Sequence, residues 1–164
     1  MRLLIIGHKG SGKTHIGALL SKQLGVQYMD SSGYCFDHVV YPSLKEKYGY
    51  QSKEEAMADK DNRREDWFQL IAEYNTIPDR LTLEILKDHN IYVGMRNRRE
   101  FEGSHHHFDL RIWIDASERI ADESIKSMEL SQSDAQYILD NNGSKEDLLP
   151  ELAKLLNYID TIRP

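Results

Sequence analysis

Residues Gly7-His8-Lys9-Gly10-Ser11-Gly12-Lys13-Thr14 satisfy the pattern G-x-x-x-x-G-K-[ST] at every fixed position. What flanks the match restricts the fold more than the match itself. Before it, Leu3 to Ile6 form a short continuous apolar run, as a parallel strand needs when both its faces are covered. After it, Ile16, Leu19, Leu20 and Leu24 recur at helical spacing, and Gly25 stands where a helix takes its C-cap. A chain built on such a strand, glycine loop and helix is committed to layers of helix on a parallel sheet.

The loop's residue types specify what it can hold. Glycines let successive backbone N–H groups turn inward on one anion, and the helix N-terminus adds its partial positive charge. Gly7, Lys9, Gly10, Ser11, Gly12, Lys13, Thr14 and His15 are therefore the candidate nucleotide-binding residues. Lys13 is expected to reach the β- and γ-phosphates of a nucleoside triphosphate such as ATP, and the Thr14 hydroxyl to ligate the Mg²⁺ that bridges them.

Composition narrows the partners. A chain of 164 residues suits one domain, 1–164, and 40% hydrophobic with 29% charged residues is ordinary for a soluble globular protein. No apolar run approaches the roughly 20 residues of a membrane helix, and the run at Leu3 is too short for a signal peptide, so the expectation is a cytoplasmic protein without a membrane partner. The single cysteine, Cys35, permits no internal disulfide and reads as a partly buried bystander. A net charge of −6 argues against broad adhesion to nucleic acid but leaves room for a local positive pocket.

Along the rest of the chain, strands are expected at 26–29, 91–95, 110–114 and within "YILDNNG" at 137–143. Residues 34–59 read as helical pieces broken at Pro42 and Gly49. Residues 60–75 read as a helix with Arg64, Trp67, Phe68, Ile71 and Tyr74 on one side. Thr76 and Asp79 resemble a capping box, with Pro78 in the first turn of a helix running to about Asp88. Arg98 to Phe101 fit a short helix, and Leu148, Leu152, Leu155, Leu156 and Ile159 share a helical face. Pro150 implies that this last helix starts there or is kinked in its first turn. The alternation of strands and helices predicts an α/β three-layer fold, with about five parallel strands and helices on both faces.

With its phosphate loop directly after the first strand, the chain resembles the nucleoside and nucleotide kinase branch of P-loop proteins. "IYVGMRNRREFE", residues 91–102, is similar to the strand and "D-x-R-x-x-x-E" stretch of phage-type deoxynucleoside monophosphate kinases. "SDAQYILDNNGSKEDL", residues 133–148, is similar to their closing stretch, which dephospho-coenzyme A kinases share. The resemblance implies that Arg96 contacts transferring or acceptor phosphate, that Glu100 orients Arg96 or its neighbours, and that Asn142 and Gly143 lie along the donor's base. One departure stands out: Gly94 occupies the place of that family's strand-end acid. Completion of the magnesium sphere is then left to Asp30, Asp115 or water.

The acceptor side leaves alternatives open. Asp30, at a strand's C-terminal end, either takes a proton from an acceptor hydroxyl or holds magnesium-bound water, or it merely caps the next turn. Arg119, a few residues beyond "IWIDAS", is placed for a catalytic lid arginine or for an ordinary surface ion pair. Arg63 and Arg64 beside Trp67 either clamp an acceptor phosphate and stack its base, or are exposed arginines next to a core tryptophan. His105-His106-His107 cannot all point at one ion and reads as a solvated loop. The expected function is ATP-dependent phosphoryl transfer to a nucleoside monophosphate or related nucleotide by a monomer or homodimer. Two other readings are a kinase acting on 5-hydroxymethyl-pyrimidine in phage DNA, and a nucleotide-binding module without turnover.

Overall fold

The computed structural model describes residues 1–163. Five parallel strands, β1 (Leu3–Ile6), β2 (Tyr28–Asp30), β3 (Ile91–Val93), β4 (Leu110–Asp115) and β5 (Tyr137–Asp140), form one sheet in the order β2-β3-β1-β4-β5. The apolar run that predicts a central strand is the central strand. All of β1 and β3 is buried, because neighbours lie on both edges and helices on both faces.

Period-two alternation divides the strand residues between two cores. Leu3, Ile5, Val93, Ile112 and Leu139 point to one face and pack with Ile16 and Leu20 of α1 (Lys13–Leu24) and Leu152, Leu155 and Ile159 of α8 (Lys145–Ile162). Leu4, Ile6, Tyr92 and Trp113 point the other way, onto Leu81 and Ile85 of α6 (Arg80–Asp88) and Phe101 of α7 (Arg98–Ser104). Each fully buried Leu or Ile contributes about 1.5–3 kcal/mol, so the two faces together fix the sheet's register.

A third, smaller core of Phe36, Val40, Leu44, Tyr50, Ala56 and Trp67 holds together the helices between β2 and α6. These are α2 (Ser31–Cys35), a π-helical turn Phe36–Val40, α3 (Tyr41–Tyr48), α4 (Lys53–Ala58), a 3₁₀ turn Lys60–Arg63 and α5 (Arg64–Tyr74). Gly49 does end a helix, as a left-handed C-cap with φ 73°.

Several sequence expectations need correction. Pro42 does not break the segment: the π turn, with the Tyr41 N–H on the carbonyl of Phe36, absorbs the place where proline cannot donate. Strand β2 begins at Tyr28 and takes in Asp30, and β3 ends at Val93 because Gly94 turns to φ 96°. No capping box forms at Thr76, whose hydroxyl donates backward to the Glu73 carbonyl, and α6 starts at Arg80. Helix α8 starts at Lys145, ahead of Pro150, because Ser144 and Asp147 form a reciprocal capping box there. Phe68 does not join the buried side of α5: it is 77% exposed while its neighbour Trp67 is buried.

Candidate active site

The loop between β1 and α1 closes on three glycines in conformations that side chains resist. Gly7, Gly10 and Gly12 have φ of 148°, 83° and 91°. A Cβ on Gly7 would stand 2.8 Å from the Ile114 carbonyl, and one on Gly12 would stand 2.7 Å from the Asn141 amide nitrogen. The glycines thus permit close approach of β4 and of the turn after β5, and leave the inner face of the loop as bare backbone.

Lys13 lies folded into that loop, 9% exposed, with its ammonium donating to the His8 carbonyl at 2.5 Å. Burial, together with the nearby Arg96 guanidinium, lowers its pKa to about 8, against the opposing pull of Glu123. The Ser11 hydroxyl is wholly buried and without a hydrogen-bond partner. A buried ammonium held by one neutral carbonyl, an orphaned hydroxyl and a cradle that a Cβ would fill together make a seat suited to a phosphate chain. Thr14 and His15 are exposed on the first turn of α1.

Part of that seat is occupied by the protein's own acid. Glu123, in the irregular segment after β4, accepts from the backbone N–H of Lys9 through one oxygen and from Arg96 Nη1, at 2.6 Å, through the other. Burial pushes the Glu123 carboxyl up, but these hydrogen bonds outweigh it and hold the pKa below the usual range. His8 adds to the contact by accepting from the Glu123 N–H at 3.2 Å. Ile120 of the same segment lies over Gly10.

Two cavities lie at this end of the sheet. On the β4 side, one of about 330 Å³ is bordered by His8, Trp113, Asp115, Ile120 and Gln132. On the β3 side, one of about 320 Å³ is bordered by Ser31, Cys35, Phe68, Tyr92, Arg96 and Glu100, among others. Arg96 borders the β3-side cavity and meets Glu123, which in turn rests on the Lys9 N–H of the loop.

The sequence-predicted residues divide accordingly. The loop residues, Lys13 and Arg96 come together. Asp30 sits at the end of β2 and accepts from the Gly33 N–H at 2.8 Å, the capping geometry named as its alternative. Arg119 donates to the Asn141 carbonyl at 2.6 Å and is exposed. Asn142 accepts from the Glu118 N–H at 2.8 Å and donates to Asp140, tying the turn after β5 to the one after β4.

Glu100 does not orient Arg96: it accepts from the Tyr92 hydroxyl at 2.7 Å, deep beside β3, while Arg96 turns to Glu123. Arg63 lies on the Tyr48 ring, 4.1 Å from its centroid, and pairs with Asp59. Trp67 stacks on Phe36 inside the small core, and Arg64 is exposed. These three do not border the β3-side cavity.

Gly94 is required by its backbone, for φ is 96° and a Cβ would meet the Ser31 hydroxyl at 3.1 Å. Among the described residues, no three His, Cys, Asp or Glu side chains are grouped so as to hold a metal ion.

Three residues at the candidate site carry no distinct functional signal in the sequence. Glu123 gave no signal, since an acid in a segment expected to carry cations matches no phosphate-binding pattern. Asn141, whose amide donates to the Ser11 carbonyl at 2.8 Å, adjoins Asn142 in the quoted closing stretch and was within reach. Phe68 shares the periodicity of the core side of its helix, and only the fold separates it from Trp67.

No family model and no curated protein matches the sequence. The structure is similar to the shikimate kinase of Bacteroides thetaiotaomicron, with a TM-score of 0.57 and 15% identity over 98% of each chain. It is likewise similar to the shikimate kinase of Acinetobacter baumannii in complex with shikimate, with a TM-score of 0.54 and 15% identity over 98% of this chain and 93% of that one. A third likeness is to the shikimate kinase of Aquifex aeolicus, at 0.51 and 18% over 96% of each chain. What these similarities establish is architecture: the chain has the α/β fold of the small P-loop kinases.

Proposed function

We propose that the protein transfers the γ-phosphoryl group of ATP to a nucleoside monophosphate or a related nucleotide. The observation that carries this reading is the junction at Arg96: a glycine cradle with a buried ammonium lies next to a second cavity, and one guanidinium faces both. Phosphoryl transfer asks a protein mainly to position two reactants and to stabilise charge spread over phosphate oxygens. Loop N–H groups and Lys13 would hold the β- and γ-phosphates, the turns at 115–120 and 140–143 would border the donor's nucleoside, and Arg96 would meet the migrating group. Magnesium bound with the nucleotide would neutralise charge on its phosphates, and the Thr14 hydroxyl would hold it.

The resemblance of residues 91–102 and 133–148 to deoxynucleoside monophosphate kinases supports a nucleotide as acceptor. That acceptor brings its own ionised phosphate oxygen as nucleophile, so no strong base is needed, and Asp30 is free to cap Ser31–Cys35. The neighbouring structures are shikimate kinases, which makes shikimate the natural competing acceptor. A second reading, transfer to a hydroxymethyl-pyrimidine in DNA, is favoured by Phe68, exposed at the cavity rim where an extruded base would stack. The test is ADP formation from ATP with a panel of nucleoside monophosphates, shikimate and hydroxymethylated DNA. One mononucleotide should stimulate it strongly, and Lys13→Ala should abolish the stimulation. No response to any nucleotide would refute the nucleotide-kinase reading.

A further inference from the structure

The β3-side cavity has a floor that the transfer chemistry leaves unused. Glu100 is 8% exposed, and its Oε1 accepts from the hydroxyls of Tyr92 at 2.7 Å and Thr82 at 3.4 Å. Its Oε2 has no hydrogen-bond partner among the described residues, and the side chain borders the cavity. Burial raises its pKa to about 7, partly offset by the two hydroxyl bonds. A carboxyl at this depth is costly unless a cation or several N–H donors meet it. Arg96, the one cation bordering the cavity among the described residues, is engaged with Glu123.

Register fixes the strand level of this acid's partner. Tyr92 pairs with Leu4, three residues before Gly7. At about 3.3 Å per residue, the Cα of Tyr92 is on the order of 10 Å before the start of the phosphate loop along the sheet. Glu100 bonds to Tyr92 and Thr82 rather than to Arg96, yet borders the same cavity as Arg96, which suits it to meet an acceptor rather than the transferring phosphoryl group. At the rim stands Phe68, 77% exposed, a flat apolar face on the same cavity. The walls between are largely apolar, with Cys35, Ile71 and Leu81.

We propose that Glu100 is a specificity-determining residue of the acceptor site, accepting through Oε2 a hydrogen bond from a ring N–H of the acceptor's base while Phe68 covers that base's face. This rests on the nucleotide-kinase reading. An ionised carboxyl offers only acceptors, so opposite the ring nitrogen it favours thymine, uracil or guanine, which carry N–H there, over cytosine or adenine, whose ring nitrogen is bare and whose only donor on that edge is the exocyclic amino group. Glutamine at position 100 reverses the polarity of that one atom. The hydroxyls of Tyr92 and Thr82 keep the amide oxygen at the Oε1 position, and the amide NH₂ then takes the place of Oε2.

The test is equilibrium binding, by titration calorimetry at pH 8, of the four deoxynucleoside monophosphates to the wild type, Glu100→Gln and Phe68→Ala. The wild type should bind dTMP or dGMP at least about tenfold tighter than dCMP and dAMP. Glu100→Gln should invert that order, and Phe68→Ala should weaken every mononucleotide by about tenfold. Phe68 is exposed, so its loss does not endanger the fold, and thermal melting of both variants checks this. Unchanged order and affinity in Glu100→Gln, a wild-type preference for dCMP or dAMP, or no mononucleotide binding by the wild type would each overturn the proposal. Phosphorylation of a non-nucleotide acceptor by a protein that binds no mononucleotide would end this proposal and the nucleotide-kinase reading while leaving a kinase. Mononucleotide binding in the predicted order without ADP formation would end the kinase reading alone.

Discussion

Replacing Glu100 by glutamine should stabilise the protein, and by an amount that depends on pH in a defined way. In the unfolded chain this carboxyl titrates at its ordinary value of 4.5; in the folded protein burial raises it to about 7. Folding therefore favours the protonated form, and between those two values the native state binds more protons than the unfolded one. Stability must fall as pH rises through that window. The penalty is absent below about pH 4.5 and complete above about pH 7. At 1.36 kcal/mol per pH unit its full size is about 3 kcal/mol.

Glutamine keeps the acceptor for the Tyr92 hydroxyl and carries no charge to desolvate, so the stability difference between variant and wild type isolates this one group from every other carboxyl. Urea unfolding at half-unit steps from pH 4.5 to 8.5 measures it. The variant's midpoint should gain on the wild type by about 1–1.5 M across the range, nearly all of it before pH 7.5. A difference that stays flat would mean that Glu100 is already ionised at pH 5, and the account of a solitary buried acid would fail.

Glu123→Gln should raise affinity for a nucleoside triphosphate by about tenfold, because it removes the carboxylate charge resting on the Lys9 N–H and Arg96; unchanged or weaker binding by calorimetry counts against Glu123 as an internal competitor. Triphosphate affinity should hold steady below pH 8 and fall above it, since Lys13, lowered to about 8 by burial and Arg96, loses its proton in the free protein there; a profile flat to pH 10 would contradict the burial of its ammonium. Lys13→Met should bind no triphosphate yet be more stable at pH 7 by roughly 1–3 kcal/mol, as the desolvated charge is gone. Ser144→Ala should lower the melting temperature by about 2–4 °C through loss of the capping box at the start of α8.

The parts legible in sequence are those whose physics is local. A doubly buried strand has a continuous apolar run, and a phosphate cradle has glycines where φ must be positive. From Leu3–Ile6, Gly7–Thr14 and the helical spacing of Ile16 to Leu24, the central strand, the glycine loop and the first helix follow in place. Gly25 and Gly49 mark helix ends for the same reason. Errors arose where two local signals competed. Pro42 is a break by its chemistry, yet a π turn accommodates it. Thr76 and Asp79 have the spacing of a capping box, but Thr76 bonds backward to Glu73.

The proposed acceptor side is not legible in sequence because its meaning depends on which residues the fold leaves without partners. Trp67 and Phe68 are adjacent and equally apolar; only the packing of α5 on Phe36 buries one and leaves the other at a cavity rim. Arg63 has the composition of a phosphate clamp, and the fold gives it to Asp59 and the Tyr48 ring. Glu100 reads in sequence as a partner for Arg96 four residues before it, yet α7 points it inward onto Tyr92, and a segment 27 residues downstream supplies Arg96 with Glu123 instead. Two buried charged groups are then under-satisfied among the described residues, the Lys13 ammonium and the Glu100 carboxyl. Both are held at a cost in stability that no packing contact recovers, and binding can recover it: a polyphosphate at the first, a hydrogen-bond donor at the second. Donor and acceptor would then each recover a different part of that cost, and with Arg96 bordering the acceptor cavity, the acceptor that recovers most carries a phosphate at one end and an N–H at the other.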